Sequence, residues 1–332
     1  MKRCYILGAG FSKACGLPLA SELTSQVFEH AYPPDFWHAE NRETYRKYLA
    51  TLYPNCDLDN DWPDFEDLTT VLDEYEDYRQ SYEGSSTSGV VPDPAHLKST
   101  LLRHLGLLLC DRTTSACSSN SIEIVKRFVR KVNEEESTII SFNWDLLIEV
   151  AAKDLNLAVT YGGKTCGDIR IAKPHGSLNL AEESRQHFEK AAQNSINVHN
   201  VYIDWQENDT VIIRASDPCD AASRTLYPFG THPLVEPTAR KSYSSKWIQL
   251  QWRRALDIVR TAQEIIVLGY SLPDSDFRPR ILLQLAGFNR NEEVQLKLVD
   301  PRAAQILDRY KRFLAFKVDT ITSPWQEIIL GL

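Results

Sequence analysis

The sequence predicts an α/β fold, a Rossmann-like doubly wound parallel sheet that carries an α-helical insertion. Three observations predict it. In residues 137–145 a β-branched apolar run ends in a polar cluster, Ser141, Asn143 and Asp145, and an apolar helical pattern follows over 146–152. That is how a buried parallel strand delivers side chains to the carboxyl edge of a sheet, where α/β folds bind ligands. Strand and helix patterns then alternate through the last third of the chain, and at least five strands end in polar, turn-forming loops.

The bulk numbers bound the function. A chain of 332 residues, 43% hydrophobic and 25% charged, lies in the ordinary globular range and can bury a large core. A formal net charge of -8 argues against a generally basic nucleic-acid surface, so no direct nucleic-acid binding is expected. The seven cysteines form no C-x-x-C pair. That predicts reduced thiols in a cytoplasmic protein, with no zinc ribbon and no metal site. No segment is long and apolar enough to span a membrane, and the first residues run straight into a strand, so neither membrane nor signal peptide is expected.

Taken in order, residues 3–18 read as a strand, a glycine turn and the approach to a helix. Gly8 and Gly10 permit positive φ and let a phosphate approach backbone N–H groups, and Ser12 adds a hydroxyl. Lys13 stands where a dinucleotide fingerprint has its third glycine. From about 20 to 133 the pattern is helical: Leu68, Leu72 and Tyr75 follow Phe65 at helical spacing, and Leu97, Leu101, Leu102, Leu105 and Leu108 follow a Gly/Ser/Pro-rich break over 84–94. The expected domains are therefore 1–30 with 115–332 as the Rossmann domain and 31–114 as an acidic helical insertion, its carboxylates a solvated helix face.

After the central stretch, 155–161 is a short strand candidate, Gly162-Gly163-Lys164 a turn, and 169–173 a strand stopped by Pro174 before His175-Gly176-Ser177. A histidine at a strand end beside glycine and serine has the look of an active-site loop. A hairpin is expected around Glu207-Asn208-Asp209, and 216–245 is an irregular segment long enough to cover a substrate. Helix 247–262, strand 264–268, helix 277–286, strand 294–299, a helix to about 313 and a strand over 316–321 complete the pattern.

Four elements together resemble the sirtuin-like NAD-consuming superfamily: Gly8-Ala9-Gly10-Phe11-Ser12 with Gly16-Leu17-Pro18; Ser141-Phe142-Asn143-Trp144-Asp145; His175-Gly176-Ser177; and Gly269-Tyr270-Ser271-Leu272-Pro273-Asp274-Ser275-Asp276 followed by Val299-Asp300-Pro301. They stand in the family's order across nearly the whole chain. The last is characteristic of the bacterial sirtuin-like branch, many of whose members are NAD hydrolases in antiphage defence. The paired C-x-x-C zinc module of deacylating sirtuins is absent.

The resemblance implies that Asn143 holds the nicotinamide ribose and the attacking water, that Asp145 lies by the carboxamide, and that His175 is the catalytic histidine. It implies that Gly8, Ala9, Gly10, Phe11, Ser12 and Pro18 line the cofactor with Ser141, and that Gly269, Ser271 and Asp300 lie towards the adenosine end. NAD+ is then a substrate, cleaved to nicotinamide and ADP-ribose. Such an activity drains its own cell unless controlled. The expected control is homo-oligomerisation or a separately encoded partner, such as a nucleic-acid-translocating ATPase or a short Argonaute. The alternatives are a non-hydrolytic NAD or ADP-ribose sensor and a protein deacylase or ADP-ribosyltransferase.

Overall fold

A computed structural model of the chain describes residues 2–33, 39–82, 93–162, 168–186, 189–190, 201–207, 209–215, 234–287, 294–314 and 316–331. Most of the break over 84–94, the Gly163-Lys164 turn, Asn208 and the larger part of 216–245 lie outside them. The strands are β1 (Arg3–Leu7), β2 (Thr138–Ser141), β3 (Val159–Thr160), β4 (Ile169–Ala172), β5 (Leu180–Ser184), β6 (Val201–Glu207), β7 (Thr210–Ala215), β8 (Glu264–Leu268), β9 (Gln295–Val299) and β10 (Val318–Ile321). The helices are α1 (Ala9–Lys13), α2 (Ala20–Ala31), α3 (Ala39–Leu52), α4 (Phe65–Tyr82), α5 (Pro94–Ser118), α6 (Ile122–Glu134), α7 (Leu147–Asp154), α8 (Lys246–Thr261), α9 (Phe277–Gly287), α10 (Ala303–Lys311) and α11 (Trp325–Gly331).

The chain divides into two compact units, Met1–Leu17 with Cys110–Val235 and Tyr243–Leu332, and Pro18–Leu109 with Glu236–Ser242. The first holds a seven-stranded sheet in the order β10-β9-β8-β1-β2-β4-β3, every pair parallel. This is the α/β, Rossmann-like sheet that the alternation of patterns predicts. Its central strands read as unbroken apolar runs because both faces are covered: Cys4, Tyr5, Ile6 and Leu7 are all buried, as are Ile265, Val267 and Leu268.

Strand order explains where a site can lie. From β1 the chain first builds β2, β3 and β4 on one side and later β8, β9 and β10 on the other, so the order reverses between β1 and β8. The carboxyl ends on either side of such a reversal are where open α/β sheets bind ligands. The register keeps those ends level: Leu7 pairs with Ser141 and with Leu268, and Leu268 with Val299. The residues that follow, Gly8, Phe142, Gly269 and Asp300, therefore stand along one edge.

At the opposite end the sheet is pinned by charge. Glu264, 1% exposed, meets Arg3 Nε at 2.5 Å and Lys297 Nζ at 2.6 Å, tying β1, β8 and β9 together. Covering helices present apolar stripes; Ile122, Val125, Phe128, Val129 and Val132 of α6 are all buried. The strand expected over 155–161 shrinks to Val159–Thr160, because α7 runs to Asp154 with Leu155 as its C-cap, and Asn156 turns at φ 57. β6 and β7 form the expected hairpin, and β5 joins it as an unforeseen third antiparallel strand.

The second unit is helical. Phe65, Leu68 and Leu72 of α4 are buried, whereas Tyr75, expected on the same stripe, is exposed. The carboxylates of α4 are mostly paired within the unit rather than simply solvated: Glu66 with Lys241, Asp73 with Lys98 at 2.7 Å, and Glu74 with Arg240 at 2.6 Å. No described helix is long and apolar enough to cross a membrane.

Candidate active site

Two loops meet at the reversal in strand order, and three glycines let them. Gly8 N–H donates to the Leu268 carbonyl at 3.1 Å, and Gly10 N–H to the Gly269 carbonyl at 2.8 Å. A Cβ at Gly8 would fall 2.6 Å from Tyr270 Cα, and one at Gly10 would fall 2.7 Å from Gly269 Cα. Gly269 itself has φ +61, and its Cβ would sit 2.4 Å from the backbone of Gly10. These glycines are thus required by the packing of one loop against the other. Leu272, in the same loop, holds φ 52 while fully buried, a strained backbone kept in place by its packing.

From β2 the chain turns through Asn143, whose backbone N–H donates to Ser141 Oγ at 3.2 Å. The Asn143 side chain is oriented by its partners. Its Nδ2 donates to the Gly8 carbonyl at 2.9 Å and to Ser12 Oγ at 3.0 Å, and because a carbonyl only accepts, the amide cannot be flipped. The side-chain oxygen is then the atom able to accept from a water or a sugar hydroxyl. Ser12 is buried and donates to Asp145 Oδ2 at 2.6 Å.

Asp145, expected beside a carboxamide, uses both oxygens within the chain, since Oδ1 accepts from Leu147 N–H at 3.1 Å at the start of α7. Burial pushes its carboxyl above the usual range, opposed by the Lys173 charge and the Ser12 hydrogen bond.

His175 follows β4 and is 6% exposed. Its ring lies 5.0 Å from Phe142 and 6.0 Å from Trp252, centroid to centroid, so Phe142 links the asparagine loop to the histidine. Its carbonyl accepts from Trp144 Nε1 at 3.0 Å and from Val235 N–H at 2.9 Å. Gly176, at φ 93, makes the turn that follows. Phe142 also stacks on Tyr270 at 4.8 Å, joining the histidine side to the Gly269 loop.

The structure therefore gathers Gly8, Gly10, Ser12, Ser141, Asn143, Asp145, His175 and Gly269 in one connected set of contacts. The other expected site residues are placed differently. Phe11 is a core residue, stacked on Trp325 at 4.3 Å, and Ala9 is half-buried at the start of α1. Ser271 is half-buried, and Asp300 is buried with Oδ1 accepting from Arg302 N–H at 2.7 Å, which turns the chain into α10. Pro18 begins the second unit.

Sequence reasoning missed the polar layer behind these loops, Glu149, Tyr161, Lys173 and Asn179, as well as Trp252 beside the histidine. The one available signal was Lys173 itself, a cation closing an apolar strand directly before Pro174-His175. Among the described residues no group of three or more His, Cys, Asp or Glu side chains could hold a metal ion. Chemically, the cluster offers an oriented amide oxygen and a histidine walled by aromatic rings.

No family model matches the chain, and no curated protein matches it. Among solved structures, the chain is similar to a mutant Sir2 homologue in complex with 2'-O-acetyl ADP ribose, at 12% identity over 99% of this chain and 88% of that one, with TM-score 0.40. It is also similar to a Sir2 homologue in complex with NAD, at 11% identity over 99% and 86%, TM-score 0.38. A third is Sir2Tm bound to a propionylated peptide, at 14% identity over 100% and 91%, TM-score 0.32.

Proposed function

We propose that the chain is an NAD+ glycohydrolase that releases nicotinamide and ADP-ribose, and that it serves as the toxic effector of an antiphage, abortive-infection system. The observation that carries this reading is convergence. Three motifs that resemble the sirtuin-like superfamily, far apart in sequence, meet at the sheet edge where strand order reverses, with Asn143 hydrogen-bonded to Gly8 and Ser12. A fourth, the Gly269 loop, packs directly on the first.

Cleavage of the N-glycosidic bond expels neutral nicotinamide, so a strong general acid is not needed. The transition state resembles an oxocarbenium ion at the ribose carbon, and the site must orient, desolvate and supply a nucleophile. Asn143 serves the orienting role, because its oxygen accepts from water or a ribose hydroxyl without titrating across physiological pH. His175 takes a proton from that water or hydroxyl, a contribution of ~100 to 10,000-fold. Gly8 to Ser12 would run along the pyrophosphate and ribose, and Gly269, Ser271 and Asp300 along the adenosine end. NAD+ enters as substrate, water is the acceptor, and no zinc is called for. Control by homo-oligomerisation or by a separately encoded ATPase or Argonaute partner belongs to the same proposal.

The test is nicotinamide release by the purified chain and by His175→Ala and Asn143→Ala. Both variants are expected to fold and to lose at least about 100-fold in turnover. Full turnover in both folded variants overturns the assignment.

A further inference from the structure

Behind the two loops the first unit buries a set of polar side chains that the proposed reaction does not use. Lys173 is 1% exposed, and its Nζ lies 2.6 Å from the Asp145 carbonyl, 2.8 Å from Ser177 Oγ and 3.1 Å from Glu149 Oε1. An ammonium has three hydrogens to donate and no lone pair, so three acceptors saturate it. The direction of the neighbouring bonds follows. Ser177 accepts from Lys173 and donates to Asn179 Oδ1 at 2.7 Å. Asn179 Nδ2 donates to the Tyr161 hydroxyl at 3.2 Å, and Tyr161 donates to Glu149 Oε1 at 2.7 Å, which returns to Lys173. Burial, with Glu149 beside it, holds the Tyr161 phenol well above its ordinary range, so it remains a donor. Lys173 and Glu149 thus stand inside the ring as a buried pair, 3.1 Å apart.

Stability alone gives little reason for such a pair, since well-packed apolar replacements of buried ion pairs are often neutral or stabilising. Position gives a better one. Two of the three lysine acceptors belong to the loops of the site: Asp145 lies two residues after Asn143, and Ser177 two residues after His175. The lysine backbone is held as well, its N–H donating to Gln251 Oε1 at 3.2 Å. Resting on the reading of the site given above, we propose that Lys173 is a positioning residue whose ammonium ties the loop of Asn143 to the loop of His175. Glu149, Tyr161 and Asn179 hold that ammonium in place.

Lys173→Met alone leaves the buried Glu149 without its cation and risks the fold, so the informative protein is the double variant E149Q/K173M. It is neutral there and keeps an acceptor for Tyr161. The expected result is near-wild-type thermal unfolding and unchanged KM for NAD+, with kcat lower by about 100-fold, the scale of a small misplacement of reacting groups. Hydrogen exchange, followed by mass spectrometry, is expected to rise in 141–147 and 174–179 together. A folded double variant with wild-type kcat and unchanged exchange in both loops overturns the proposal. If the wild-type chain makes no nicotinamide even when assembled or given its partner, the hydrolase reading fails on its own. Exchange then decides the brace, concerted loosening supporting it, and loosening of one loop or neither overturning it.

Discussion

At the scale of single residues, the candidate site is oriented by bonds that admit one direction. Asn143 cannot flip because the Gly8 carbonyl faces its nitrogen, and Ser12 spends its hydrogen on Asp145. Trp144 acts in the same way at one remove. Its indole N–H, bonded to the His175 carbonyl at 3.0 Å, spans the two loops from the other side. Trp144→Phe keeps the ring and removes that bond. The expected cost is about 1 kcal/mol in stability, with a fall in nicotinamide turnover of up to about tenfold, measured by denaturant unfolding and steady-state kinetics on the same protein. The polar character of residues 141–145 was legible from the sequence, because a short apolar strand ending in Ser, Asn and Asp has few other uses. Their bonding was not, since Asn143 finds its partners at Gly8 and Ser12, on the far side of all the intervening helical sequence.

At the scale of elements, strands and their ends were largely legible, as β8 shows: an apolar run bounded by turn-forming residues falls where periodicity puts it. The glycine turns were legible only by half. Gly8 and Gly10 announced a tight turn, but the Gly269 backbone that fills the space beside them is invisible to local pattern. β5 was missed because Leu180-Ala181-Glu182-Glu183-Ser184 has no clean alternation, and only its pairing with β7 makes it a strand. The far end of the sheet makes a test of element pairing. Burial pushes the Glu264 carboxyl up, but Lys297 and Arg3 outweigh it and the net shift is down from 4.5. A depressed carboxyl stabilises the fold at pH above its unfolded value, and that stability is lost as pH falls through the folded value. The stability gap between wild type and Glu264→Gln is therefore expected to be full above pH 4.5, on the order of 1.5–3 kcal/mol, and to close in more acidic solution. Denaturant unfolding across that range measures it. A gap that stays constant with pH would remove the ion pairs from the account of how β1, β8 and β9 are held.

At the scale of the whole molecule, the chain holds a parallel sheet whose reversal point receives loops from β1, β2, β4 and β8, and a helical unit in which Glu66, Asp73 and Glu74 pair with Lys241, Lys98 and Arg240. The fold class was legible because alternating strand and helix patterns admit few other arrangements. The buried ring around Lys173 was not, because its members lie on separate elements, and beyond the cation that closes an apolar strand, Glu149, Tyr161 and Asn179 each read alone as an ordinary surface or core residue. In the proposed reaction water is the acceptor at an NAD+ glycosidic bond. The direct measurement is to incubate the purified chain with NAD+ in oxygen-18 water, across a range of protein concentrations that includes its assembled form, and to weigh the products. Nicotinamide and ADP-ribose are expected in equal amounts, with one oxygen-18 in the ADP-ribose and neither product from Asn143→Ala. NAD+ bound tightly yet recovered intact at every concentration would contradict the proposed reaction.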